Sequence, residues 1–300
     1  MMGALNHLSI LLLLSLLPPA LSHVVEKFSD VPQCKKFFLE ETTPNLPGIL
    51  YDGIVKDQNR YKPICQLFKN FYRFATLYDT TNRIPVFSAY TFTGYIPGRP
   101  DETWMMEPQL NGEKNTEMEK MGGGIYDHQS GNNDYAKVIR KNPTDYKDVS
   151  RGHLFPSSHA HDLDTQTSTF TLTNIVPQDS TFNGGSWNDM ERNVREKLET
   201  DCISNNGIKA YVVTGAVPSA KNKLNDRVNI PDLLWTAYCC YNNKKKGWMA
   251  EAHWGWNQKE DVGKTLKPET LGALEIMLNK YHKGKDGPVK VFPKDCPRGP

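Results

Sequence analysis

The residues of this chain with chemistry to offer concentrate between Ser150 and Arg195. First comes Ser150-Arg151-Gly152-His153, which sets a guanidinium and an imidazole beside a glycine. With no Cβ at Gly152, the backbone there can approach a ligand closely. Thr173-Asn174-Ile175-Val176-Pro177-Gln178 follows, then Asn183-Gly184-Gly185-Ser186-Trp187 at the entrance of a helix. On that helix Glu191 and Arg195 are i, i+4 neighbours, on a face separate from the apolar Met190/Val194 stripe. A guanidinium holds anions and an imidazole carries protons near neutral pH, so this segment is equipped for an anionic ligand and a proton transfer.

Each residue also has a plain structural account. Asn is among the preferred helix N-caps, which suffices for Asn183. Glu191 with Arg195 reads equally as a surface ion pair worth about 0.3–0.5 kcal/mol. His153 reads equally as a hydrogen-bonded structural histidine. A further rival is zinc chelation by His153, His159 and His161. Against it, a His-Ala-His strand points both imidazoles to one face while His153 lies elsewhere.

Taken together, the set resembles the DNA/RNA non-specific endonuclease family, whose site is a ββα-metal finger. Arg151-Gly152-His153, Thr173 to Gln178, Asn183-x-Gly185-x-Trp187 and Glu191 match that family's motifs in order and spacing. Tyr211-Val212-Val213-Thr214-Gly215 and the stretch from Val228 to Trp235 look like its later core strands. The cysteines and Trp104-Met105-Met106-Glu107-Pro108-Gln109-Leu110 resemble a secreted vertebrate branch, the endonuclease domain-containing 1 proteins. The resemblance covers roughly residues 60–280.

That resemblance implies a phosphodiester hydrolase acting on DNA and/or RNA through phosphate contacts. It implies one divalent ion, Mg²⁺ with Mn²⁺ as a substitute, held by Asn183 and several waters. His153 would be the general base, Arg151 and Arg195 the phosphate clamps, and Glu191 would orient a water of the ion's shell. Asn174 would position His153 or that shell. Products would carry 5′-phosphate and 3′-hydroxyl ends. One position departs from the pattern: Ser150 stands where the family usually has Asp, and Ser supplies no negative charge. The competing readings are a ββα scaffold that binds nucleic acid without cutting it, with Ser150 as the lesion, and a zinc-stabilised structural protein using His159 and His161.

The elements that must position these residues read as α+β: a mixed or antiparallel central sheet with flanking helices and the ββα finger. Residues 61–78 carry Ile64, Leu67, Phe68, Phe71, Phe74 and Leu77 at helical spacing, which predicts a helix. Val86 to Phe92 alternates as a strand, and 95–149 reads as a surface loop. Phe170 to Val176 reads as a strand, about Ser186 to Glu199 as a helix burying Trp187, Met190, Val194 and Leu198, and Ala210 to Val217 as a buried strand. Leu233–Tyr241 and Gly247–Trp254 flank a lysine-rich tip and predict a hairpin. A last helix is expected over Glu269–His282, with Leu271, Leu274, Leu278 and Tyr281 on one face.

Composition bounds the rest. The chain has 300 residues, 38% hydrophobic and 23% charged, enough for a real core and too apolar for a disordered chain. A net charge of +2 means that any anionic ligand must be held by a local patch. Leu8–Leu17 is too short an apolar run to span a bilayer, and Ala20 and Ser22 suit signal peptidase, so residues 1–22 read as a signal peptide. No second apolar span follows. Residues 23–300 read as one secreted domain with a disulfide-rich N-terminal segment. Its six cysteines read as three disulfides. Cys34 pairs best with Cys65, Cys202 with Cys239 or Cys240, and the remaining one with Cys296. Protein partners are not legible.

Overall fold

The computed structural model of the chain describes residues 23–135, 148–205 and 207–299. The residues read as a signal peptide, 1–22, lie outside that range. The longer strands are β1 (Tyr61–Phe68), β2 (Phe71–Asp79), β3 (Ile84–Phe92), β4 (Val149–His153), β5 (Ile175–Asp179), β6 (Ala210–Val217), β7 (Leu233–Asn242) and β8 (Gly247–Trp256). Six of them form one antiparallel sheet in the order β8-β7-β6-β3-β2-β1, and β4 pairs with β5 apart from it. The helices that matter are α1 (Asn188–Asp201) and α2 (Leu271–Leu278). The result is the α+β arrangement that the sequence predicts.

Alternation along the strands gives the sheet two apolar faces, and each is covered. One face (Leu77, Phe87, Ala89, Val213, Trp235) packs against the N-terminal segment and against Leu271, Leu274 and Leu278 of α2. The other (Phe74, Tyr90, Phe92, Val212, Leu234, Tyr238) packs against Leu154, Phe155, Val176, Phe182, Trp187 and the Met190/Val194/Leu198 stripe of α1. The second layer therefore contains the unit β4–β5–α1. Neighbours on β7, Cys239 and Cys240 face opposite layers: Cys240 bonds Cys202 just after α1, and Cys239 bonds Cys296 in the C-terminal segment. Cys34–Cys65 ties the N-terminal segment to β1. All six cysteines are paired, as expected.

The expected helix over 61–78 does not form. The chain turns at Lys69-Asn70, with φ of 52° and 61°, and runs as β1 and β2. Two consecutive positive φ values are the signature of a tight hairpin turn. Ile64, Cys65, Gln66 and Leu67 are all buried, because both faces and the edge of β1 are covered. A strand covered on both sides has no alternation, and its apolar residues fell at helical spacing by coincidence.

Leu172–Asn174 is a 3-10 turn, so the strand predicted from Phe170 starts at Ile175 and runs on to Asp179. The last helix spans only Leu271–Leu278, capped by Thr270, and leaves Tyr281 exposed. Val228–Asn229 pairs with Lys223–Leu224 in a small hairpin, and the core strand begins at Leu233. Within the expected loop 95–149, Met105, Met106, Glu107, Met118 and Met121 are buried, while Gly122 to Gly124 are exposed. Residues 136–147 of that stretch lie outside the described range.

Candidate active site

β4 and β5 set Ser150 opposite Gln178, Arg151 opposite Pro177, Gly152 opposite Val176 and His153 opposite Ile175. Gly152 is needed here for packing. A Cβ on it would lie 2.8 Å from Gln178 Cβ and closer still to the amide oxygen. The space that sequence reading offered to a ligand belongs to Gln178.

His153 is half-buried, edge-on to Phe170 at 4.9 Å and beside Trp104 at 5.6 Å between centroids. Burial, with the nearby Arg99 charge adding to it, pushes the imidazole down to about 3, against a hydrogen bond to the Arg151 backbone that favours the charged form. The ring is therefore neutral at physiological pH, and its Nε2 has no hydrogen-bond partner among the described residues. Arg99 lies over Phe170 at 5.0 Å and pairs with Glu102 at 2.7 Å. The Arg151 guanidinium lies over Trp104 and Tyr135 at 4.9 and 5.3 Å and donates to Asn132 Oδ1 at 3.3 Å. Among the described residues it forms no ion pair, and burial lowers its pKa.

Asn183 is not an N-cap. Asp179 takes that role, accepting from the backbone N–H groups of Thr181 and Phe182. Asn183 has helical φ/ψ (−61°, −47°) and opens a wide turn, Asn183–Trp187, broken at Gly185 before α1 begins. Its Nδ2 donates to Ser150 Oγ at 2.8 Å, and its Oδ1 has no partner among the described residues.

Glu191 and Arg195 do not form the ion pair their spacing allows. The Glu191 carboxylate accepts from Trp187 Nε1 at 2.9 Å, and burial pushes its pKa up to about 8. Arg195 lies over Tyr95 at 4.3 Å, and Glu196, its paired carboxylate, is 3.9 Å away. The Glu191 carbonyl accepts from His159 Nε2 at 2.9 Å, which leaves His159 Nδ1 to accept from Tyr90 Oη at 2.8 Å. Burial holds His159 down at about 4, so this imidazole is a neutral link between β3 and α1.

Asn174 spends its whole amide on the fold. Oδ1 accepts from Ser88 Oγ and Phe155 N, and Nδ2 donates to the carbonyls of Phe155 and Thr169. It fixes the backbone two residues after His153 and has nothing left for a ligand. His161 is exposed and pairs with Asp162, so it cannot join His159 on one metal. No group of three His, Cys, Asp or Glu that could hold a metal exists among the described residues. What remains is the unpartnered amide oxygen of Asn183, with Glu191 on the following helix. That donor set suits a hard cation that keeps most of its waters.

Ser150 and Asn183 are thus in direct contact, whereas no hydrogen bond or ion pair among the described residues joins His153 to Asn183 or Glu191. The sequence did not mark Arg99, Tyr95 or Tyr90, and it marked Trp104 only as a point of resemblance, not as part of the site. All four precede the motif segment by tens of residues and reach it only through the tertiary fold.

The DNA/RNA non-specific endonuclease family model matches residues 55–274. Endonuclease domain-containing 1 protein of Homo sapiens is 34% identical over 219 residues, which is 72% of this chain and 40% of that protein. Its Mus musculus counterpart is 30% identical over 208 residues, covering 69% and 38%. The chain therefore spans about two fifths of the length of these curated relatives. Among solved structures, the EndoG/EndoGI complex, described as revealing the mechanism of EndoG inhibition, aligns with a TM-score of 0.50 at 17% identity. The alignment covers 71% of this chain and 84% of that one. At that identity the likeness speaks for the fold alone. With most of its length matched by the family model, and β4, β5, α1 and the turns that join them carrying the motif residues, this chain belongs to the DNA/RNA non-specific endonuclease family.

Proposed function

We propose that this chain is a secreted, divalent-metal-dependent endonuclease that hydrolyses phosphodiester bonds of DNA and/or RNA. The observation that carries this reading is His153: a neutral imidazole with Nε2 unpartnered among the described residues, beside Arg99 and two residues from an Arg151 that has no carboxylate partner among them. A buried nitrogen with no partner of its own, unprotonated at pH 7, can take a proton from a water admitted beside it. Its other role, staying in place, is served by the Arg151 backbone and by the Phe170 and Trp104 rings. Arg151 and Arg99 would hold the phosphate oxygens, and Arg195 a neighbouring phosphate. Asn183 Oδ1 would hold the cation, Mg²⁺ or Mn²⁺, with Glu191 ordering its hydration. When bound, the ion supplies charge that offsets the negative charge developing on phosphate and leaving oxygen. Contacts to phosphate carry no base information, so sequence preference should be slight.

Secretion is supported by the three disulfides and by the Leu8–Leu17 run with its Ala20/Ser22 flank. Among the described residues, no helix is long and apolar enough to cross a membrane. The deciding experiment incubates purified protein with plasmid and with RNA in Mg²⁺, EDTA or Zn²⁺. Cleavage in Mg²⁺ that stops in EDTA and leaves 5′-phosphate ends is the expected result. Retardation of nucleic acid without cleavage in any metal would replace the enzyme by a binding protein.

A further inference from the structure

We propose that Ser150 is a positioning residue that decides which atom of Asn183 faces the cation. The inference rests on the reading of Asn183 as the cation's ligand and goes beyond it, to the residue that departs from the family pattern. Ser150 Oγ donates its one hydrogen to the Gln178 carbonyl at 3.3 Å, directly across the β4–β5 pairing. Toward Asn183 the hydroxyl can then only accept. The amide must present its NH₂ group to Ser150, as it does at 2.8 Å, and Oδ1 is left without a partner among the described residues. A half-turn of the amide would set Oδ1 against the lone pairs of Ser150 and aim two N–H groups at the cation. The order Asn183 N–H to Ser150 O–H to Gln178 C=O thus fixes the ligand with neutral groups alone.

Two consequences follow. Losing the hydroxyl should free the amide to turn over and weaken cation binding by about threefold to tenfold, the worth of one neutral hydrogen bond. A carboxylate at position 150 can accept the same N–H and adds a full negative charge beside the ion, which should tighten binding by about tenfold. The neutral serine therefore gives a site of correct geometry and modest affinity.

The test measures Mn²⁺ binding by the full protein without nucleic acid, from the electron paramagnetic resonance of free Mn²⁺, with Mg²⁺ as competitor. Expected are a threefold to tenfold loss for Ser150→Ala, affinity within twofold of wild type for Ser150→Thr, and about tenfold tightening for Ser150→Asp. In an Asn183→Asp background, where either oxygen can face the ion, Ser150→Ala should cost less than twofold. Equal Mn²⁺ affinity in wild type and Ser150→Ala, with loss of binding in Asn183→Ala, overturns the orienting role and leaves Asn183 as ligand. Unchanged binding in Asn183→Ala overturns the ligand assignment and, with it, the role of Ser150. Circular dichroism of each variant identifies any loss that comes from misfolding, and the remaining variants then decide.

Discussion

His153 Nε2 is the atom on which the proposed chemistry turns, and its environment makes two outcomes measurable. His153→Ala should lower the cleavage rate by about 10²–10⁴-fold, the range for a positioned base, while leaving Mn²⁺ affinity unchanged. Retention of more than a few per cent of the rate would remove it as the base. Because burial and Arg99 hold the ring near 3 rather than the ordinary 6.5, Nε2 is unprotonated throughout the usual assay range. The acid limb of kcat/KM should therefore lie below pH 5. A midpoint at about 6.5 would mean that the ring is solvated in the working enzyme. The sequence made His153, Asn183 and Glu191 legible through their spacing, but not their states. That imidazole's pKa is set by Phe170, Trp104 and Arg99, and only folding brings these together. Asn174 shows the same limit from the other side: its place in the motif is legible, and its saturation by Ser88, Phe155 and Thr169 is not.

At the level of elements, α1 is held in place by contacts at both ends. Near its start, His159 bonds the Glu191 carbonyl and Tyr90, joining the helix to β3; at its end, Cys202 is bonded to Cys240 on β7. Replacing His159 with Ala should remove its bonds to Tyr90 Oη and to the Glu191 carbonyl and cost about 1–3 kcal/mol, read as a lower Tm. It should also reduce kcat by letting Glu191 move, with His159→Gln recovering part of both. A drop in Tm with kcat untouched would make the link purely structural. Removing both Cys202 and Cys240 opens a loop with a sequence separation of 38, and should cost about 2–5 kcal/mol in denaturant melts. These elements differ in how well the sequence announced them. α1 has a stripe matched to one buried face, and β3, β6 and β7, covered on both faces, read as short apolar runs bounded by turn signals. β1 and β2 are likewise covered on both faces, and β1 also at its edge, but no glycine or proline separates them, so the two read as one helical run. Only Lys69-Asn70 marked the turn between them.

For the molecule as a whole, the buried titrating groups set opposing pH dependences. Burial holds His153, His159 and His282 at about 3, 4 and 4, against 6.5 for a free imidazole. Below pH ~6.5 the unfolded chain takes up protons that the folded one refuses. Stability therefore falls as pH drops toward 4, by up to about 1.4 kcal/mol per pH unit for each ring. Glu191 works the other way. Raised to about 8 from 4.5, it keeps a proton in the folded state that the unfolded chain releases, so stability declines as pH rises through that window. Below 6.5 three imidazoles outweigh one carboxyl, and above it the carboxyl acts alone. Tm measured in EDTA should therefore peak near pH 6.5 and fall more steeply on the acid side. Adding Mg²⁺ should flatten the alkaline limb, because a cation beside Glu191 favours its ionised form. Glu191→Gln supplies the sharper check, since an amide has no proton to lose. In that variant the alkaline decline should vanish in EDTA while the acid limb stays. If the decline persists unchanged, Glu191 is already ionised at neutral pH, and its burial beside Trp187 is looser than the 2.9 Å bond implies.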